Sequence, residues 1–164
     1  MNPIGMTKHI WWVIPNELGG MPLPYVDVRR LKSPAASIEA FDDDVHALAK
    51  RGVKSIVAAL ELPAQRQIFE SHGFRYLSLK IPDGAAPTEE QAERLIHFYD
   101  MSPRPLIAHC EAGVGRTGTL LAILLIHRGL SVADAVQTVK DVMPPALESK
   151  RQLEFVQRFK TRQK

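Results

Sequence analysis

Apolar positions along the chain alternate between the period of a strand and that of a helix, and their order sketches an α/β protein. Residues 11–14 and 17–21 are short apolar runs on either side of Pro15-Asn16, as expected for two strands joined by a turn. Residues 38–50 carry apolar side chains at helical spacing and stop at Arg51-Gly52. The segment 54–60 is β-branched and apolar, 64–72 reads as a short helix closed by Gly73, and 74–81 is strand-like. Thr88 followed by Gln91 forms a T-x-x-Q capping box, and Ala92, Leu95, Ile96 and Tyr99 carry a helix to about Met101. Pro103 and Pro105 follow it.

A short buried strand is expected at 106–109, then a glycine-rich turn and a central apolar helix over 115–127 that Gly129 closes. Ser131 is placed to cap a helix over 132–142, Pro144-Pro145 stop it, and 147–162 reads as a last amphipathic helix. Residues 32–36, Lys-Ser-Pro-Ala-Ala, read as a loop. The expected fold is α/β: a single domain, residues 1–164, with a small, mostly parallel central sheet flanked by helices.

Composition narrows the class. With 164 residues, 45% hydrophobic and 24% charged, the chain has the makeup of one soluble globular domain. Its longest apolar run, 120–126, is far short of the ~20 residues that cross a bilayer. No signal-peptide pattern opens the chain, so the expected location is the cytoplasm, with no membrane association and a monomeric state. The net charge of +3 is mild. Much of the excess lies at Lys150, Arg151, Arg158, Lys160, Arg162 and Lys164, where it is read as a solvated helix face ending in cations that complement the helix dipole, so no nucleic-acid partner is expected.

The single cysteine changes the picture. It excludes an internal disulfide and suits a reducing compartment. Cys110 opens the run His109-Cys110-Glu111-Ala112-Gly113-Val114-Gly115-Arg116-Thr117, between the expected strand and the central helix. Two weaker patterns share these glycines. Gly113 to Gly118 satisfies G-x-G-x-x-G, yet no second strand with an acidic end follows the helix. Gly113 and Gly118 also match a Walker spacing, but Thr119 stands where lysine is needed.

The reading that uses every polar residue is a thiol nucleophile with a phosphate cradle. Residues Glu111 to Arg116 can curl so that successive backbone N–H groups converge on one anion, and the following helix adds its positive end. The same field favours the thiolate of Cys110. Glycines at 113 and 115 permit the tight backbone, and Arg116 brings a planar fork able to grip two phosphoryl oxygens.

The loop resembles that of the protein tyrosine and dual-specificity phosphatases, H-C-x-x-G-x-G-R-[ST], at every fixed position. Trp12-Val13-Ile14-Pro15, Leu18-Gly19-Gly20, Ile81-Pro82-Asp83 and residues 144–148 make the chain similar, within that superfamily, to the small atypical VHZ-type dual-specificity phosphatases. The resemblance implies that Cys110 attacks phosphorus, that residues 111–116 bind phosphate, and that Asp83 is the general acid on an upstream loop, although Pro82-Asp83-Gly84 by itself is also an ordinary turn. It implies that Thr117 hydrogen-bonds the sulfur, unless its hydroxyl serves only the helix start. His109 would order the loop from behind.

Gln152, with Glu148 one helical turn before it, matches positions that orient the attacking water in relatives; each is equally well an ordinary surface residue. No cofactor and no metal are implied, and the other five histidines have no zinc-like spacing. The expected substrate is a phosphoprotein or small aryl phosphate, phosphotyrosine ahead of phosphoserine and phosphothreonine. Glu111, Ala112 and Val114 add no cation that would favour phosphoinositides. A phosphoprotein-binding pseudophosphatase is the non-catalytic alternative. Asp42-Asp43-Asp44-Val45 superficially matches a magnesium-dependent aspartyl phosphatase, but the surrounding helical pattern argues against it, the acids being read as favouring the positive end of the helix.

Overall fold

Five strands form one sheet in the order β1-β2-β5-β3-β4 in the computed structural model, which describes residues 9–24 and 34–159, the side chains of 34–37 excepted. The strands are β1 (Trp11–Ile14), β2 (Leu18–Met21), β3 (Ser55–Ala58), β4 (Arg75–Ser78) and β5 (Leu106–His109). β1 pairs antiparallel with β2 through a tight turn, whereas β2, β5, β3 and β4 run parallel. Parallel neighbours need crossovers, which α1 (Pro34–Lys50), α2 (Pro63–Ser71) and α3 (Glu89–Met101) supply, while α4 (Gly115–His127), α5 (Val132–Val142) and α6 (Lys150–Arg158) follow the last strand. None of the helices is long and apolar enough to cross a membrane.

Strand alternation splits the core in two. Leu18, Val57, Leu106, Ala108 and Cys110 face one layer, formed with α3, α4, α5 and α6. Met21, Ile56, Tyr76 and Ile107 face the other, filled by Phe41, Val45 and Leu48 of α1 and by Phe69 of α2. The central helix α4 is buried from Arg116 to Ile126, including the fully buried Leu120, Leu121 and Ile123. Each such side chain contributes roughly 1.5–3 kcal/mol of burial, so the helix that begins at the glycine-rich turn is fixed by the core.

The signals at helix ends act as expected at α3, where Thr88 and Gln91 form the full capping box, and at α5, where Ser131 accepts from the Asp134 N–H. Two helix starts differ from the sequence reading. α1 begins at Pro34, so Pro34 to Ala36 are helical and not a loop; proline suits a first turn, whose N–H has no partner to lose. Asp42, Asp43 and Asp44 consequently sit in mid-helix, and the first turn holds no acid. Their explanation through the helix dipole therefore fails, because that effect fades within the first turn.

α6 begins at Lys150, three residues later than the amphipathic pattern suggested, since Leu147 has a φ of 62° that no α-helix accommodates. Lys150 and Arg151 thus lie at the positive end of α6, and only Arg158 complements the dipole as expected. Lys160, Arg162 and Lys164 lie outside the described residues.

Candidate active site

The carboxyl ends of parallel strands leave their last backbone groups free for loops, and ligands in open α/β sheets gather there. Two loops meet at this edge. The first follows β5 and opens with Cys110. The second follows β4 and is drawn across the top of β3 by the bonds Leu79 N–H to Ala58 O (2.7 Å) and Ile81 N–H to Ala59 O (3.4 Å). Ala59 N–H in turn donates to His109 O at 2.9 Å. This stitching brings Asp83, 27 residues before Cys110 in the chain, over the Cys110 loop.

Cys110 is buried, and its Sγ accepts hydrogen bonds from Gly113 N–H (3.3 Å) and from the Thr117 hydroxyl (3.1 Å). Both donors point at the sulfur from within its own loop and the helix that follows. Gly113 has a φ of 78°, and a Cβ there would come within 2.4 Å of Pro22 N and 2.5 Å of Met21 C and O. Only glycine fits. A left-handed residue in such a turn can direct neighbouring N–H groups to one side, as an anion cradle requires. At its far end α4 starts with no side-chain cap on Val114, so its first-turn N–H groups remain free to bind an anion.

Arg116 is 5% exposed, held at its depth by a bond from Nη1 to the Ile81 carbonyl at 2.9 Å. Nε is buried without a protein partner, and Nη2 lies 3.7 Å from Asp83 Oδ1. One edge of the guanidinium is therefore used for anchoring while Nε and Nη2 remain as a fork. Asp83 itself is 91% exposed, on a turn closed by Ala85 N–H to Pro82 O at 3.0 Å, with Gly84 at a φ of 80°.

His109 lies on the opposite face of the sheet and is fully buried, its ring stacked 6.0 Å from that of Phe69. Nδ1 donates to the Cys110 carbonyl at 3.3 Å, since a carbonyl only accepts. Burial pushes its pKa down to about 4, the bond to the Cys110 carbonyl opposes this, and the Arg116 charge adds to the lowering. The ring is neutral and holds the loop from behind.

The structure brings Cys110, residues 111–116, Thr117, Asp83 and Gln152 together. Gln152 is buried, its Nε2 donates to Ala85 O at 3.3 Å, and its amide lies against Gly115, where a Cβ would meet Oε1 at 3.2 Å. It thus touches both loops. Glu148 is exposed ahead of α6 and is not one turn before Gln152 on the same helix, because α6 starts after it.

Three contacts to these loops were not foreseen. The Trp11 indole Nε1–H donates to Gly113 O at 3.0 Å, Leu23 N–H donates to Glu111 O at 3.0 Å, and the Ser149 hydroxyl donates to Gly84 O at 3.0 Å. For Trp11 the partners are 102 residues apart, and no local pattern marks them.

Known proteins resemble this chain in sequence and in fold. The family model Tc-R-P, a polymorphic toxin system DSP-PTPase phosphatase, matches residues 31–130. The PRL-1 phosphatase of Drosophila melanogaster is 32% identical over 118 residues, covering 69% of this chain and 66% of its own. Protein tyrosine phosphatase type IVA 3 of Mus musculus is 28% identical over 134 residues, or 79% of this chain and 75% of that one. Among solved structures, kinase associated phosphatase with its catalytic-site cysteine substituted by serine superposes with a TM-score of 0.72 at 20% identity, over 90% of this chain and 91% of that one, which shows a shared fold. Over 100 of its residues, with the Cys110 loop and Asp83 inside the matched span, the chain belongs to the Tc-R-P family of DSP-PTPase phosphatases, and it is a phosphatase of the protein tyrosine/dual-specificity type.

Proposed function

We propose that the chain hydrolyses phosphate monoesters through a cysteinyl-phosphate intermediate, with phosphotyrosine and other aryl phosphates preferred and phosphoserine or phosphothreonine as lesser substrates. The observation that carries this reading is the pairing of a buried sulfur that accepts two hydrogen bonds with an arginine whose Nε has no protein partner. A phosphoryl group between them would satisfy both.

In the first step the Cys110 sulfur forms a bond to phosphorus as the ester P–O bond breaks, and Asp83 gives its proton to the leaving oxygen. The loop N–H groups of residues 111–116 and the Arg116 fork follow the three equatorial oxygens as they flatten. In the second step water attacks phosphorus, Asp83 takes its proton, and the P–S bond breaks to return the sulfur as thiolate. Thr117, donating to that sulfur, eases its departure. Gln152 touches both loops and would orient the water from there, with Glu148, exposed beside Ser149, as the alternative.

The loop residues Glu111, Ala112 and Val114 offer no added cation for a polyphosphorylated headgroup, which favours protein and aryl phosphates. The proposed enzyme works as one cytoplasmic domain, a monomer without metal or cofactor.

The test is p-nitrophenyl phosphate hydrolysis in EDTA and reductant for the native chain, Cys110→Ser and Asp83→Asn, followed by phosphotyrosyl peptide, phosphoseryl peptide and phosphoinositide side by side. Expected are turnover that EDTA leaves intact, its abolition by the serine, a lower rate with the asparagine, and the phosphotyrosyl peptide as best substrate. Phosphate binding without turnover would instead make the protein a phosphoprotein-binding module, and faster release from the lipid would overturn the substrate assignment.

A further inference from the structure

Three carbonyls of the Cys110 loop are engaged from outside the cradle. Cys110 O receives His109 Nδ1, Glu111 O receives the Leu23 N–H at 3.0 Å, and Gly113 O receives the Trp11 indole Nε1–H at 3.0 Å. In a planar trans peptide the C=O and the N–H that follows point in opposite directions. Holding a carbonyl outward therefore turns the next N–H inward, toward the side where the Gly113 N–H already meets Cys110 Sγ.

The peptide between Gly113 and Val114 most needs such a hold. Glycine at a φ of 78° places little steric restriction on its own rotation, so the peptide plane beyond it turns at small cost unless something fixes it. Trp11 is well placed to do so. Its side chain is buried, and its ring lies over Gly20, the residue opposite it in the β1–β2 ladder. A Cβ at Gly20 would come within 2.9 Å of ring atoms Cε2 and Cζ2, and within 2.6 Å of Thr117 Cγ2. The missing side chain is what lets the indole reach the loop.

We infer that Trp11 is a positioning residue: its indole N–H sets the Gly113–Val114 peptide so that the Val114 N–H points into the anion cradle. The inference rests on reading residues 110–116 as the phosphate site. Loss of the indole N–H leaves two orientations of this peptide, of which one binds an oxyanion, and apparent affinity falls by the fraction that is competent.

The experiment uses the full chain and inorganic tungstate, with calorimetric affinity, p-nitrophenyl phosphate kinetics and the amide NMR signal of Val114 as readouts. Trp11→Phe, Arg116→Ala and Leu48→Ala are compared with the native protein; Leu48 is fully buried in the opposite core layer and its truncation lowers stability away from the loop. Trp11→Phe is expected to bind tungstate roughly tenfold more weakly, the scale of one lost buried hydrogen bond. Its kcat/KM falls in parallel, and the Val114 amide loses the shift that tungstate produces in the native chain. Leu48→Ala keeps its tungstate affinity within about twofold.

Should Trp11→Phe not fold, benzothienylalanine at position 11, which keeps the ring shape without the N–H, gives the same readouts. Native-like affinity in either Trp11 variant overturns the inference and leaves the site intact, and an equal loss in Leu48→Ala also overturns it, by assigning the effect to general stability. Failure of the native chain to bind tungstate, or undiminished binding by Arg116→Ala, overturns the reading of the site itself.

Discussion

The Ser149 hydroxyl donates to the Gly84 carbonyl at 3.0 Å, so the residue that precedes α6 holds the turn carrying Asp83. Gln152, one turn further on, grips the same loop at Ala85. Ser149 occupies an N-cap position but makes no side-chain cap bond to its own helix; its hydroxyl serves the loop instead. Removing it should loosen the turn of the proposed acid, Asp83, without touching the sulfur. Ser149→Ala is expected to lower kcat about three- to tenfold on phenyl phosphate, the scale of one hydrogen bond, and much less on p-nitrophenyl phosphate, whose leaving group needs little protonation. Equal effects on the two substrates would sever the link between Ser149 and acid catalysis.

Arg116 anchors through Nη1 on Ile81 O and leaves Nε without a protein partner, the donor proposed to meet phosphate. Lysine keeps the charge but supplies one nitrogen, which cannot hold the Ile81 carbonyl and two phosphoryl oxygens together. Arg116→Lys should therefore reduce kcat/KM on p-nitrophenyl phosphate by roughly 10²- to 10³-fold, as for loss of a preorganised transition-state donor. Retention of activity within tenfold would show that positive charge alone suffices.

The order of elements was readable because their boundaries carry local chemistry. The Thr88–Gln91 box, the Ser131 cap and Gly129 act within a few residues of themselves. The starts of α1 and α6 were not readable for the same reason in reverse: Pro34 is as good a first-turn residue as a loop residue, and the apolar Leu147 extends the helical pattern of α6 although its backbone is left-handed. At the site, the Cys110 loop is contiguous and so announces itself. Trp11 reaches that loop across 102 residues and Ser149 reaches the Asp83 turn across 65, through contacts that exist only once β1 and α6 are packed.

Gly113 packs against the end of β2 at Met21 and Pro22 and accepts from Trp11 of β1. Alanine there meets both a left-handed φ and a Cβ within 2.4 Å of the Pro22 nitrogen, and backbone on that side has no flexible end to yield. Gly113→Ala should cost about 1–3 kcal/mol in unfolding free energy from strain alone and remove most of the tungstate binding. Gly84→Ala, at a φ of 80° but with nothing within 4 Å of the added carbon, carries the conformational cost without the clash. Denaturant titration of the two variants separates these effects, and equal destabilisation would argue that the Met21–Pro22 contact does not constrain the loop.

His109 links the site to acid stability. When unfolded it takes up a proton near its usual pKa of 6.5, whereas in the native protein burial delays this to about 4. Between those values the unfolded state binds more protons, so stability falls as pH drops from 6.5 toward 4, and the full contribution is present only above 6.5. The shift corresponds to on the order of 3 kcal/mol across the window. His109→Asn keeps an N–H able to reach the Cys110 carbonyl but does not titrate. Urea unfolding followed by tryptophan fluorescence should therefore show the native chain losing stability between pH 6.5 and 5, above the usual carboxylate range, while the variant stays nearly level. Parallel curves over that interval would mean that His109 charges within the fold at its ordinary pKa, which its burial beside the Arg116 charge opposes.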